Sequence, residues 1–222
     1  MSEISVQHKD VLAKLTAASK RGGMSAPADL VAVSKVQPDN RIAAMLKTGQ
    51  RIFGENRVQE AQKRWGETFD AHRGDLELRL IGPLQTNKTA DAVALFDVIE
   101  TVDREKLLKA LVKAVGDDGK MPRLYVQVNT GEESQKSGVL PAELPAFLKL
   151  MRENYNLEPE GLMCIPPAGE AASPHFWLLS NLAKANRVEK LSMGMSADYE
   201  IAVEMGATRV RVGSALFGAR KQ

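Results

Sequence analysis

The chain has 222 residues, 44% of them hydrophobic, and a formal net charge of +2, enough length and apolar content for one large α/β domain. Acids and bases are mixed along it, so there is no basic stripe for nucleic acid and no polybasic patch for an anionic membrane. A single cysteine, Cys164, excludes an intrachain disulfide, and the start Met1-Ser2-Glu3-Ile4 lacks leader features; a cytoplasmic monomer is expected.

Residues 4–20 place Ile4, Val11, Leu12 and Leu15 among lysines and alanines, the pattern of an amphipathic helix closed by Arg21-Gly22-Gly23. Leu30 to Lys35 is an apolar, β-branched run that ends in a lysine and reads as a buried strand. Pro38-Asp39 opens a helix bearing Ile42, Met45 and Leu46, and Gly49 ends it before a short strand, Arg51 to Gly54. Asn56 is the expected cap of a helix to about Phe69, followed by a strand over Leu76 to Gly82 and a helix over Leu84 to Val93.

Phe96 to Val102 reads as the fourth strand, and Asp103 as the cap of a helix with Leu107, Leu108, Leu111, Val112 and Val115 on one face. Arg123 to Asn129 is the fifth; a polar loop, 130–138, precedes a helix that Pro141 is expected to start. Gly161 to Ile165 is the sixth strand, and Ser173-Pro174 begins a helix to about Ala185. Lys190 to Met193 and Thr208 to Val212 are the last two, with Ser196 the expected cap of the helix between.

Eight strands, each separated from the next by a helix, predict right-handed parallel crossovers and a closed (β/α)8 TIM barrel. An open doubly wound sheet is the alternative, but a dinucleotide fold calls for a Gly-rich turn after the first strand, where Ser34-Lys35-Val36-Gln37 stands instead. Without a linker or internal repeat, residues 1–222 are expected to form a single domain.

In such a barrel the chemistry collects at the carboxyl ends of the strands. Taken alone, Lys35 reads as a strand's exit into water, Ser196 as a plain N-cap and Gly213-Ser214 as a turn. Taken together, the last two bring backbone donors from adjacent strands toward one mouth, a cup for a phosphate. Arg211 lies between Val210 and Val212, a costly place for a permanent cation unless something planar or anionic meets it. Arg209 shares its face and needs a partner of its own; an acidic residue on a neighbouring strand would serve either. Glu132, Glu133 and Lys136 read as a solvated loop, the three histidines fall away from strand ends, and no metal-ligand spacing appears.

The motifs Ala32-Val33-Ser34-Lys35, Phe53-Gly54-Glu55-Asn56, Ile81 to Lys88, Asn129 to Glu133, Gln135 to Gly138, Leu191 to Ser196 and Val210 to Gly213 run nearly end to end. With them the chain resembles the pyridoxal phosphate homeostasis proteins. The resemblance implies the barrel of fold-type III enzymes, similar to the cofactor domain of alanine racemase, with an extra N-terminal helix and no C-terminal β-domain. It implies pyridoxal 5'-phosphate (PLP) held as an internal aldimine on Lys35. It also implies that Ser196 with the amides of Gly213 and Ser214 holds the phosphate, that Arg211 meets the pyridine nitrogen, and that Asn56 and Met163 border the ring. Arg79, Val36 and Ser134 depart from the His, Thr and Pro common in relatives.

Racemisation needs proton-transfer groups on both faces of the substrate's α-carbon. Tyr125, Tyr155 and Tyr199 are not placed at the mouth, and the sequence stops soon after the eighth strand. The expectation is a cofactor carrier that takes part in intracellular PLP homeostasis and delivers to apo-enzymes, without established turnover; a low-activity amino-acid racemase is the alternative.

Overall fold

Short runs rich in Val, Leu and Ile form strands here because they bury two faces, one under helices and one inside a ring. In the computed structural model, which describes residues 2–117 and 119–218, the strands are β1 (Asp29–Val33), β2 (Ile52–Glu55), β3 (Glu77–Leu80), β4 (Val98–Val102), β5 (Arg123–Val128), β6 (Gly161–Cys164), β7 (Lys190–Ser192) and β8 (Arg209–Val212). Consecutive strands pair in parallel, and β1 pairs with β8 from Asp29 opposite Arg209 to Ala32 opposite Val212. The ring closes as the (β/α)8 barrel expected from the sequence.

Alternation along the strands sorts their side chains. Leu30, Ala32, Phe53, Leu78, Leu80, Leu124, Val126, Leu162, Leu191, Val210 and Val212 belong to the main core, which the helices cover. The opposite set points into the ring, where Val98, Tyr125 and Met163 form a small cluster of their own. Arg79, Glu100, Ser192 and Arg211 are buried there too. Arg209, the cation that needed its own partner, pairs with Asp29 of the adjacent strand at 2.8 Å.

The outer layer comprises α1 (Glu3–Arg21), α2 (Asp39–Leu46), α3 (Val58–Lys63), α4 (Thr89–Leu95), α5 (Glu105–Val115), α6 (Leu144–Tyr155), α7 (Ala172–Ala185), α8 (Tyr199–Glu204) and α9 (Ser214–Phe217). Helix α1 is capped by Ser2 and buries Ile4, Val11 and Leu15. It is tied to the barrel by His8, whose Nε2 lies 3.1 Å from Gln50 Oε1, while Gln50 Nε2 donates to the carbonyls of Leu30 and Ile52. No described helix is long and apolar enough to cross a membrane.

Four helix starts differ from the sequence-based expectation. Arg57, not Asn56, precedes α3, and Asn56 faces the mouth of the barrel. Arg104 precedes α5, and the Asp103 carboxylate pairs with its guanidinium. Asp198 precedes α8 and accepts from the Met195 amide at 2.6 Å, while Ser196 turns toward β8. Pro141 lies in the turn before α6, whose first turn carries Pro145 instead, where its missing N–H costs nothing. The helix expected to run to Phe69 is regular only to Lys63; a π-helical turn over Arg64–Thr68 follows, with Phe69 N–H donating to Arg64 O at 2.8 Å.

Candidate functional site

The carboxyl ends of the strands surround a cavity of about 310 Å³ lined by Val33, Lys35, Asn56, Ser196, Arg211, Gly213 and Ser214, together with Gln37, Ile81, Ile165, Met195, Ala197 and Gly218. Its volume suits a small organic ligand, and its wall mixes apolar side chains with a few polar groups. Six of the seven residues singled out from the sequence meet there.

Lys35 stands two residues beyond the end of β1, on the face that Val31 and Val33 present to the interior. The chain before it is fixed: Ser34 N–H donates to Gly54 O at 3.1 Å, and Ser34 Oγ donates to Glu55 Oε1 at 2.6 Å. Lys35 is partly buried and belongs to the cavity wall.

Asn56 follows β2 and is seated against Gly82 beyond β3. A Cβ at residue 82 would fall 2.2 Å from Asn56 O, so only glycine lets the two backbones pass. Asn56 Oδ1 is buried and finds no hydrogen-bond partner among the described residues, which marks a polar atom suited to a ligand.

Across the mouth, Gly194 takes φ +90°, and a Cβ there would fall 2.5 Å from Ala202 Cβ. That turn carries Ser196 over the end of β8. Ser196 Oγ accepts from the amides of Gly213 at 3.2 Å and Ala215 at 3.3 Å. These two amides are spent on the Ser196 oxygen, so this corner of the cavity offers an anion the Ser196 hydroxyl proton and the chain at Ser214.

Arg211 forms the floor. Its Nη2 donates to Cys164 O at 2.8 Å and its Nη1 to Ser192 Oγ at 2.7 Å. Ser192 Oγ donates in turn to Glu100 Oε2 at 2.6 Å, and Glu100 Oε1 accepts from Arg79 Nε at 2.5 Å. Arg79 is fully buried, with its guanidinium carbon 5.0 Å from the centre of the Tyr125 ring. Burial opposes its charge, yet the Glu100 carboxylate, with Tyr125 and Glu77, holds its pKa above the ordinary guanidinium value. The fixed cation at the floor is thus the visible end of an ionic network inside the barrel.

Met163 is the residue the structure does not bring to the cavity. It is fully buried with Val98 and Tyr125 in the barrel interior. Two residues along the same face, Ile165 reaches the cavity wall in its place. Gln37, Ile81 and Met195 were also not singled out, although Ile81 and Met195 sit inside motifs at strand ends; neutral side chains carry no chemical signal in a sequence.

Other candidate groups are accounted for elsewhere. His175 Nδ1 lies 3.2 Å from Thr130 O and Nε2 lies 3.1 Å from Glu170 Oε2. In the loop after β5, Lys136 pairs with Glu133. Burial pushes the Cys164 thiol up to about 12, with Arg211 pulling the other way, so it behaves as a small hydrophobe. Among the described residues no cluster of His, Cys, Asp or Glu could hold a metal ion.

Residues 17–221 match the family model described as alanine racemase, N-terminal domain. The chain is 39% identical to the pyridoxal phosphate homeostasis protein of Pseudomonas aeruginosa over 99% of its own length and 97% of that protein's. It is 36% identical to that of Vibrio cholerae, over 99% and 98%. Among solved structures, PipY of Synechococcus elongatus with PLP bound aligns at TM-score 0.82 and 35% identity, covering 97% of this chain and all of that one. Alanine racemase of Corynebacterium glutamicum aligns at TM-score 0.65 and 17% identity, covering 96% of this chain and 62% of that one, a likeness of fold alone. A closed barrel with this mouth, matched nearly end to end by those relatives, belongs to the pyridoxal phosphate homeostasis protein family.

Proposed function

We propose that this protein binds PLP at the barrel mouth through Lys35 and serves in the cytoplasm as a monomeric carrier that keeps the free aldehyde low and delivers it to apo-enzymes. The observation that carries the reading is the meeting in one cavity of a lysine, a turn that presents backbone amides and a serine hydroxyl, and a buried guanidinium. These groups fit PLP part by part. The Ser196 hydroxyl and the chain at Ser214 suit the phosphate. Arg211, which can only donate, suits an unprotonated pyridine nitrogen, and the partnerless Asn56 Oδ1 suits a polar ring substituent.

The cofactor supplies an aldehyde and, in enzymes, an electron sink. Lys35 would hold the cofactor by its aldehyde, the amine at the cavity wall being the nucleophile such a carbonyl needs. Arg211 is oriented by Ser192, which bridges it to Glu100. Ile81, Ile165 and Met195 present apolar surface to a ring.

A carrier is preferred to a racemase because Lys35 is the one titratable group besides Arg211 among the described residues that line the cavity. Tyr125 lies inside the barrel beside Arg79, and Tyr155 and Tyr199 sit on outer helices. Incubation of alanine and serine in deuterated water with the PLP-loaded protein tests this choice. A carrier leaves the α-hydrogens in place, whereas exchange over many turnovers that is lost in Lys35→Ala overturns it. Transfer to an apo-enzyme in the presence of an aldehyde trap tests delivery: direct handover survives the trap, and simple release does not.

A further inference from the structure

We infer that Arg64 is a positioning residue for Lys35: with Glu55 it clamps the backbone on both sides of the lysine and holds the intervening turn in a strained conformation. The inference rests on the reading of Lys35 as the attachment point.

The clamp is built from one carboxylate and one guanidinium. Glu55 is fully buried at the end of β2, and its Oε1 accepts from Ser34 Oγ at 2.6 Å, Arg64 Nη1 at 2.9 Å and Trp65 Nε1 at 3.0 Å. Arg64 Nη1 also donates to the carbonyl of Ser34 at 2.9 Å, and its Nη2 to the carbonyl of Gln37 at 2.7 Å. The two carbonyls flank Lys35 and Val36, so one planar fork spans the turn. A fork of fixed shape sets the separation of its acceptors in a way that a flexible ammonium does not.

The turn itself requires holding. Val36 has φ +55° and its side chain is 71% exposed. A β-branched residue avoids positive φ, and nothing is gained by burying this one. Such a conformation persists only where the surroundings over-determine it, and it recurs where a reactive group must be aimed. Arg64 opens the π-helical turn that follows α3, an interruption also common at functional sites. Clamp and strain fall on the same four residues, 34–37, and the lysine is one of them. A mere tie between β1 and α3 would not require the exposed Val36 to be strained.

The test uses the full-length protein with PLP, quenched with borohydride, and reads the rate at which peptide mass appears on Lys35. Inorganic phosphate binding is measured in parallel as a report on the distant cup. Arg64→Ala is expected to slow attachment at Lys35 on the order of tenfold to a hundredfold, as misplacement of a reacting group does, with phosphate affinity unchanged. Asparagine tolerates positive φ far better than valine, so Val36→Asn in the Arg64→Ala background is expected to restore much of the rate. Where Arg64→Ala compromises folding, Arg64→Lys, which keeps the charge and loses the fork, is expected to slow attachment as well. Attachment at the wild-type rate in Arg64→Ala or Arg64→Lys overturns the inference, and so does a loss of phosphate affinity in parallel with rate that Val36→Asn does not repair. If wild-type protein itself is not labelled on Lys35, the functional reading falls and this inference with it; labelling of wild type and variant alike removes only the inference.

Discussion

Glu100 and Arg211 face each other inside the barrel with their charged ends 3.9 Å apart, and Ser192 Oγ bridges them by hydrogen bonds of 2.6 and 2.7 Å. Neither side chain is exposed enough for water to compensate it. The cation at the cavity floor is therefore held by a carboxylate from the opposite side of the ring, and that carboxylate also neutralises Arg79.

Removing Glu100 leaves two buried guanidinium groups short of a partner. Glu100→Ala is expected to destabilise the fold by about 3–5 kcal/mol, the cost of breaking a buried ion pair from one side. Thermal unfolding reads this as a fall of about 2–4 °C per kcal/mol at this chain length. Glu100→Gln, which keeps one acceptor, is expected to lose less. An unchanged midpoint in Glu100→Ala would contradict the network's role.

Ser196 places its hydroxyl against the amides of Gly213 and Ala215. Ser196→Ala is expected to weaken PLP binding by about 1.5–3 kcal/mol, the scale of a hydrogen bond to a charged group, while binding of pyridoxal, which lacks the phosphate, changes little. Equal losses for the two ligands in equilibrium titrations would remove Ser196 from the anion site.

The barrel and the position of its mouth were legible because they follow from period and punctuation. The alternation that puts Val31, Val33 and Lys35 on one face, and the Gly-Ser step after β8, are local properties of the chain. Helix caps were less legible. Asn56, Asp103 and Ser196 have the right chemistry in the right place, but Asn56 and Ser196 face the cavity and Asp103 pairs with the neighbouring Arg104. Met163 shows the limit of carrying a role by motif: the side-chain period puts it inward, yet depth along the strand decides between Met163 and Ile165. The Glu55–Arg64 and Glu100–Arg79 pairs join separate elements and could not be matched before the ring was closed.

Acid should loosen the amino-terminal end of the barrel. Burial raises the Glu77 carboxyl, but Arg123 and Arg79 more than reverse this and hold it below its ordinary value of 4.5. Glu160 is likewise held down, against burial, by Lys190 and Arg123. A carboxyl whose folded pKa is depressed contributes stability above its unfolded value, and that contribution disappears as pH falls through the folded one. Melting temperature is therefore expected to drop below pH 4.5. Glu77→Gln should have a lower plateau at neutral pH and a shallower acid decline; an acid limb parallel to the wild type's would contradict this assignment.

Cys164 is fully buried, and its thiol is pushed up to about 12. Iodoacetamide at neutral pH is expected to leave it unmodified in the native protein and to modify it in denaturant. Rapid alkylation of the folded protein, followed by mass, would show that β6 opens or that the thiol is ionised.

Lys35 is proposed as the group that captures the cofactor. Titration of the apo-protein with PLP, borohydride reduction and peptide mapping tests it directly. The expected result is one stoichiometric adduct on Lys35, with Lys35→Ala folded, able to bind inorganic phosphate, and unlabelled. Equal labelling of the Lys35→Ala protein, or an adduct on another lysine in the wild type, would contradict the account.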